Sequence, residues 1–381
     1  MLRSCIAFAW LNLARGDRTR VAVAIGGATV AIFIVLLHLG FLRAVEHKAT
    51  QVFGLFDAEV VLVSDRYQFL YRTGDFPAAR LRQALSVEGV ADAAAVRLSA
   101  SRWLATDNGD QSSLFLIGLD PKPDFIADTE LRRAAAALGA PRRALFDALS
   151  DPDVPRVNVG ESGRIGVQPA LVAGTYRLGL PMYASATAVV ANGDFSLYSG
   201  DDPQRIQLGL VKLAPGADAQ KVVTALKSAL PDDVRAMTRT ALMAQEARYF
   251  VEVKPLGIMM RTGLAIGLIV GAVALFQVMS AQIEARVRDF AVLRATGFPA
   301  GYTYAIGGWQ LALLGGGSFA LAWLLVWPVF AVVSAKSHLF LPLDAWLLAG
   351  GVALCIPMIA SAALPLLRAT RADPAKLFAR A

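Results

Sequence analysis

Few residues in this 381-residue chain have the types and spacing to do chemistry. A P-loop needs GxxxxGK[ST], with glycine backbone to cradle phosphates and a lysine to meet their charge. No Gly-Lys pair occurs anywhere, so the chain binds no nucleotide by that device. The zinc-hydrolase pattern HExxH and the nucleophile elbow GxSxG are also missing. The two cysteines, Cys5 and Cys355, and the three histidines, His38, His47 and His338, are too scattered to frame a metal site or a disulfide scaffold. Asp and Glu abound, but their spacing selects no acid–base pair, and most read as solvated. His38 falls inside a long apolar run and reads as a packed or interfacial histidine rather than a proton carrier. The expectation is therefore no catalytic residue, no metal and no cofactor in this chain.

One segment stands apart. Residues 280–301 read SAQIEARVRDFAVLRATGFPAG. Ile283, Val287 and Phe290 recur at helical spacing on one face, Arg294 continues it, and Glu284, Arg286, Arg288 and Asp289 surround it. Gly297 suits a left-handed helix stop and Pro299 prevents continuation. Such a short amphipathic helix can dock into a groove on a soluble partner; it can equally be a charged connection between two helices.

The elements that must position this segment are membrane helices. The chain is 56% hydrophobic and 18% charged, against about 45–50% and about 25% for an ordinary soluble domain. A span needs about 20 apolar residues to cross about 30 Å of hydrocarbon. Four runs qualify, at residues 21–42, 255–281, 302–335 and 345–367, the last carrying Pro357 and Pro365. The first is too long for a cleaved leader and is expected to remain as an anchor. Arg261 lies one turn from the start of the second run and is expected to extend its charge to the interface.

Lysine and arginine counts set the orientation. Residues 43–254 hold 24 Lys/Arg and 25 Asp/Glu, a net of −1, so the protein's +7 comes from the segments flanking the spans. That distribution argues topology and excludes a nucleic-acid partner. Arg3, Arg15, Arg18 and Arg20, the loop arginines, and Arg368, Arg371, Lys376 and Arg380 in the tail place both termini and residues 282–301 in the cytoplasm. Residues 43–254 then form a periplasmic domain, residues 336–344 a short periplasmic loop, and residues 368–381 a cytoplasmic tail. The predicted fold is an α-helical membrane protein with four transmembrane helices and a large mixed α/β periplasmic domain between helices 1 and 2.

Within that domain, strands are predicted near residues 58–64, 94–98, 114–119, 205–213 and 234, with helices at 76–85 and from Asp218 to 230. Two β-α-β units at opposite ends of the segment suggest halves brought together. Residues 121–155 read as one or two surface helices, and 240–253 as a helical stalk interrupted by Pro255.

Residues 286–297, RVRDFAVLRATG, resemble the signature loop of the FtsX/MacB-type ABC transporter permeases, with Asp289 where that family often has Glu. RATRADPAKLF at 368–378 resembles its closing segment, and residues 7–20 resemble its N-terminal interfacial helix, which assigns 1–20 to the cytoplasmic face. Residues 206–234 are similar to the corresponding stretch of the DevC-like exporter permeases; residues 121–184 match no motif.

The resemblance implies a permease subunit of an ATP-driven exporter in the bacterial inner membrane. It implies a homodimer and a separate ABC ATPase that binds ATP–Mg. It further implies a periplasmic membrane-fusion adaptor and a TolC-like outer-membrane channel. Phe290, Leu293 and Arg294 are then expected to dock the ATPase, flanked by Arg286, Arg288 and Asp289 and closed by Gly297. Two other classes stay open: an FtsX-like regulator of periplasmic hydrolases, and a membrane-anchored enzyme.

Overall fold

The computed structural model describes residues 18–105, 111–150, 157–179, 184–285, 292, 296–297 and 299–365. The chain divides into two compact units, one of residues 1–43, 255–334 and 341–381, the other of residues 44–254 and 335–340.

Four helices dominate the first unit: α1 (Arg18–Thr50), α7 (Pro255–Ala285), α8 (Ala300–Ser337) and α9 (Ala345–Ala362). Each is long and apolar enough to cross a membrane. At about 1.5 Å per residue, the 38 residues of α8 far exceed a 30 Å hydrocarbon layer. Its interior Pro328, like Pro357 in α9, is tolerated within an otherwise continuous helix.

Glycines let these helices approach closely. A Cβ on Gly263 of α7 would lie 2.0 Å from His38 Nε2 of α1, and one on Gly271 would lie 2.5 Å from Met358 of α9. Gly40 of α1 receives the ring of Phe330 from α8 in the same way. Small residues at such crossings replace the hydrophobic drive that lipid removes. Ile258, Ile266, Ile269 and Val273 on α7, with Leu324 and Trp327 on α8, stay exposed, as apolar side chains facing lipid would. Arg43 on α1 donates two bonds of 2.6 Å to Asp344 and lies 4.8 Å from the Trp346 ring centroid. Asp344 also caps α9, accepting from the Leu347 N–H.

The second unit is built on one nine-stranded sheet. Its strands are β1 (Val60–Ser64), β3 (Val90–Ala105), β4 (Gln111–Leu119), β5 (Arg143–Asp147), β6 (Ser162–Ile165), β7 (Gln168–Tyr176), β8 (Ala186–Ala191), β10 (Leu208–Leu213) and β11 (Val234–Thr238). The short β2 (Phe76–Pro77) and β9 (Arg205–Ile206) pair separately. The helices are α2 (Ala79–Ala84), α3 (Thr129–Ala134), α4 (Asn192–Ser199), α5 (Ala219–Ala229) and α6 (Arg239–Glu252).

The two β-α-β units of the sequence reading, β1-α2-β3 and β10-α5-β11, interleave in the order β11-β1-β10-β3 with every neighbour antiparallel. This is the split β-α-β arrangement. Asp218 caps α5, its side chain accepting from the Gln220 and Lys221 N–H groups.

Between the halves, β3 runs on for 16 residues, pairing with β10, then β4, and at its end with β6. The pairings β3–β4–β8–β5–β7–β6–β3 therefore come full circle around a second core containing Trp103, Leu116, Phe146 and Phe195. Gly163 makes room there: a Cβ would lie 2.3 Å from the Trp103 ring.

This closed ring corrects the reading of residues 121–155 as surface helices. Only α3 is α-helical in the described part of that stretch, and β5 follows as a strand with Ala144 through Asp147 buried. The RALFD run has residues that suit a helix, but β7 and β8 on either side supply hydrogen bonds and burial that local propensity does not register.

Candidate functional site

The segment that the sequence singles out begins inside α7, whose helix continues to Ala285 with Ile283 buried. Arg286, Arg288, Asp289, Phe290, Leu293 and Arg294 lie outside the described residues. At the far end, the Thr296 N–H donates to the Val292 carbonyl at 3.0 Å, a helical turn. Gly297 adopts φ +89°, and the Tyr302 N–H reaches the Pro299 carbonyl at 2.9 Å as α8 begins. A left-handed glycine after a helical turn ends a helix and frees the chain to change direction. Val292 is exposed on that turn.

At the other end of α7, two residues separate it from α6. Thr238 caps α6 by accepting from the Ala241 N–H, and the last turn closes with the Val253 N–H on the Tyr249 carbonyl at 3.0 Å. Pro255 opens α7, where its missing N–H costs nothing. One stripe of α6, Leu242, Glu246 and Phe250, is buried at four-residue spacing.

A carboxylate in that stripe was not anticipated by the sequence reading. Glu246 is fully buried. The Tyr67 hydroxyl donates to its Oε1, and the Leu70 N–H donates to its Oε2 at 3.2 Å. Burial pushes the carboxyl up to about 7, and the two hydrogen bonds only partly counter it. The same burial, reinforced by Glu246, holds the Tyr67 hydroxyl well above its ordinary range. Around the pair, Phe69 stacks on Tyr249 at 4.8 Å and meets Phe250 edge-on at 5.7 Å, and the Lys254 ammonium sits 4.4 Å from the Phe69 centroid. The four-residue periodicity of Leu242 and Phe250 was the signal that could have exposed Glu246 as an inward-facing acid.

Among the described residues, Asp147 at the end of β5 is a second buried carboxylate. It accepts from the N–H groups of Leu149 (3.0 Å), Leu178 (3.0 Å) and Gly179 (2.8 Å), and the Thr187 hydroxyl lies 3.4 Å away. Burial raises its pKa despite these donors and the charge of Lys48. Nothing local in the sequence distinguishes it from a solvated acid. Among the described residues no group of His, Cys, Asp and Glu could hold a metal ion.

The described residues thus comprise four helices long and apolar enough to cross a membrane and, as a separate unit, a large α/β domain. Residues 261–374 match the FtsX-like permease C-terminal family, a match that takes in most of α7, the connecting segment, α8 and α9. Over those residues the chain is similar to FtsX-like permeases, and the likeness is to their C-terminal region.

No curated protein matches the chain. Among solved structures, the extracellular domain of the noncanonic ABC-type transporter YknZ from Gram-positive bacteria aligns at 11% identity and a TM-score of 0.33, covering 48% of this chain and 100% of that one. The periplasmic region of MacB from Actinobacillus actinomycetemcomitans aligns at 11% identity and a TM-score of 0.33, covering 51% of this chain and 94% of that one.

Proposed function

We propose that the chain is the permease subunit of an ABC exporter, converting the motion of a separate ATPase into movement of its α/β domain. The observation that carries this reading is the family match, whose span, residues 261–374, includes the segment between α7 and α8. Residues 282–301 and both termini face the cytoplasm, and the α/β domain faces the periplasm. Phe290, Leu293 and Arg294 dock the ATPase, with Arg286, Arg288 and Asp289 as flanking contacts. Motion passes up α7 and, through two intervening residues, into α6. The subunit works as a homodimer beside a membrane-fusion adaptor and a TolC-like channel.

Affinity purification of the tagged chain from native membranes tests the assembly. Recovery of a P-loop ATPase with a periplasmic adaptor supports export; an ATPase with a cell-wall hydrolase shifts the reading to an FtsX-like regulator. Recovery of no ATPase, under conditions that keep a known transporter intact, overturns it. Phe290→Asp should abolish ATPase recovery and transport while leaving membrane insertion intact. Wild-type transport by that variant would remove Phe290 from the docking surface.

A further inference from the structure

The α6 helix is the last element of the α/β unit before α7, and its buried face contains one ionisable group. Glu246 sits between Leu242 and Phe250, one turn away on either side, with no exposed surface. Its two hydrogen-bond partners, Tyr67 and Leu70, both belong to the segment following β1. An ionised carboxylate here has exchanged its hydration for two donors. A neutral carboxyl carries no such desolvation cost and still offers an oxygen to the Leu70 N–H.

We infer that Glu246 is a proton-operated clasp: with its carboxyl protonated α6 is held against residues 67–70, and on ionisation that hold weakens. The α/β unit would then adjust the grip on its own outgoing helix to the pH of the compartment it faces. This deepens the reading of α6 as a transmitting helix and rests on it for its functional meaning, though not for the clasp itself.

The groups around Glu246 do not supply a counter-charge that would keep it ionised. From the segment after β1, Tyr67 faces it directly, with Asp65, Arg66 and Arg72 nearby in sequence. From β11, Arg235 donates to the Tyr67 carbonyl at 3.0 Å and acts on the Tyr67 hydroxyl. On α6 itself, Arg239 donates to the Phe53 carbonyl at 2.9 Å, and Arg248, Tyr249 and Glu252 share the helix. Lys254 lies over Phe69. The last turns of α1 pack on Phe69 and Phe250 through Val45 and Ala49; of the charged or titratable residues they carry, Glu46, His47 and Lys48, His47 stacks on Phe340 and Lys48 acts on Asp147. The causes acting on Glu246 are burial, Tyr67 and the Leu70 N–H, with no cation among them.

The sign follows from linkage. Docked, the carboxyl titrates at about 7; undocked and solvated, it returns to its ordinary 4.5. Docking is therefore strongest in acid and weakens as pH rises through 7. Between pH 6 and 8 the docking equilibrium should fall about tenfold.

Hydrogen exchange of the full-length chain in nanodiscs, corrected for the chemical exchange rate at each pH, reads this directly. The expected result is about a tenfold loss of protection for amides 242–250 from pH 6 to pH 8. In Glu246→Gln, a neutral side chain of the same shape, protection should stay high and flat. Tyr67→Phe removes a donor that favours the ionised form, so its transition should move to higher pH. A wild-type profile flat to within twofold would overturn the clasp, as would the wild-type slope persisting in Glu246→Gln or an unmoved midpoint in Tyr67→Phe. The measurement needs neither ATPase nor cargo. A failure of the transport reading therefore leaves it standing, and a flat profile leaves the transport reading untouched.

Discussion

Replacing Asp147 by Ala should be among the most damaging single changes in the α/β unit. Its carboxylate gathers the N–H groups of Leu149, Leu178 and Gly179, and so ties the end of β5 to the chain leaving β7. Removing the acceptor strands three donors, each at about 1–3 kcal/mol when buried. The Leu149 and Leu178 bonds are only partly buried and can recruit water, which places them at the low end. Relief of the carboxylate's own burial offsets part of the loss. The net is about 2–4 kcal/mol, or roughly 5–15 °C of melting temperature for a domain of this size. Asp147→Asn keeps one acceptor oxygen and should fall in between.

The pH dependence has a definite sign. Burial raises the folded-state pKa of Asp147, so its contribution is complete below the ordinary carboxylate range and declines as pH rises through the raised value. The gap between wild type and Asp147→Ala should therefore narrow toward alkaline pH. Thermal unfolding of the full chain, paired with hydrogen exchange at 178–179, is the assay. An Asp147→Ala melting point within about 2 °C of wild type, with those two amides still protected, would refute the reasoning.

Other substitutions probe separate parts of the fold. Gly163→Val would drive its side chain into Trp103, with the Leu104 carbonyl 2.8 Å from the new Cβ; a loss of about 1–3 kcal/mol is expected in thermal unfolding, with Trp103 becoming quenchable. Gly263→Leu collides with the His38 ring, whereas Gly316→Ala meets nothing within 4 Å; detergent stability should fall sharply for the first and hold for the second. Gly297→Ala must adopt φ +89° with a Cβ, at about 1–2 kcal/mol; ATPase stimulation by the reconstituted chain should drop. Single changes Arg43→Ala and Asp344→Ala remove one contact between α1 and the start of α9, so a double-mutant cycle on detergent stability should show them to be non-additive.

What was legible in the sequence was what depends on composition and on local geometry. The four apolar helices announce themselves by length. Asp218 marks a helix start and Pro255 the break after the 240–253 helix, through chemistry that acts within one turn. The halves β1-α2-β3 and β10-α5-β11 were readable because each alternates between periods of two and 3.6. The ring of strands was not, because what makes β5 to β8 strands is one another. β3 shows the same limit: its alanine-rich run suggested only residues 94–98, yet three partner strands extend it from Val90 to Ala105. The buried acids fail for the same reason. Glu246 meets a tyrosine 179 residues away, and Asp147 meets the Gly179 N–H 32 residues on.

Those long-range contacts give the α/β unit its mechanical character. The chain enters through the last turns of α1 and leaves through α6, and both pack into one cluster with Phe69, Tyr71 and Phe250. The segment carrying Phe69 leads directly out of β1, which lies between β10 and β11 in the sheet. A displacement of α6 is thus resisted at one corner by aromatic packing and by the Glu246 hydrogen bonds, while the β3–β8 ring is joined to the rest of the sheet by the single long strand β3. Two attachments of such different stiffness predict where the unit yields. α6 moves against its neighbouring segment before the ring deforms, since the first costs a few side-chain contacts and the second costs a closed hydrogen-bond circuit. Amide exchange along α6 should therefore exceed that of β4 and β8 at every pH, and the reverse order would show that the ring, not the outgoing helix, is the compliant part.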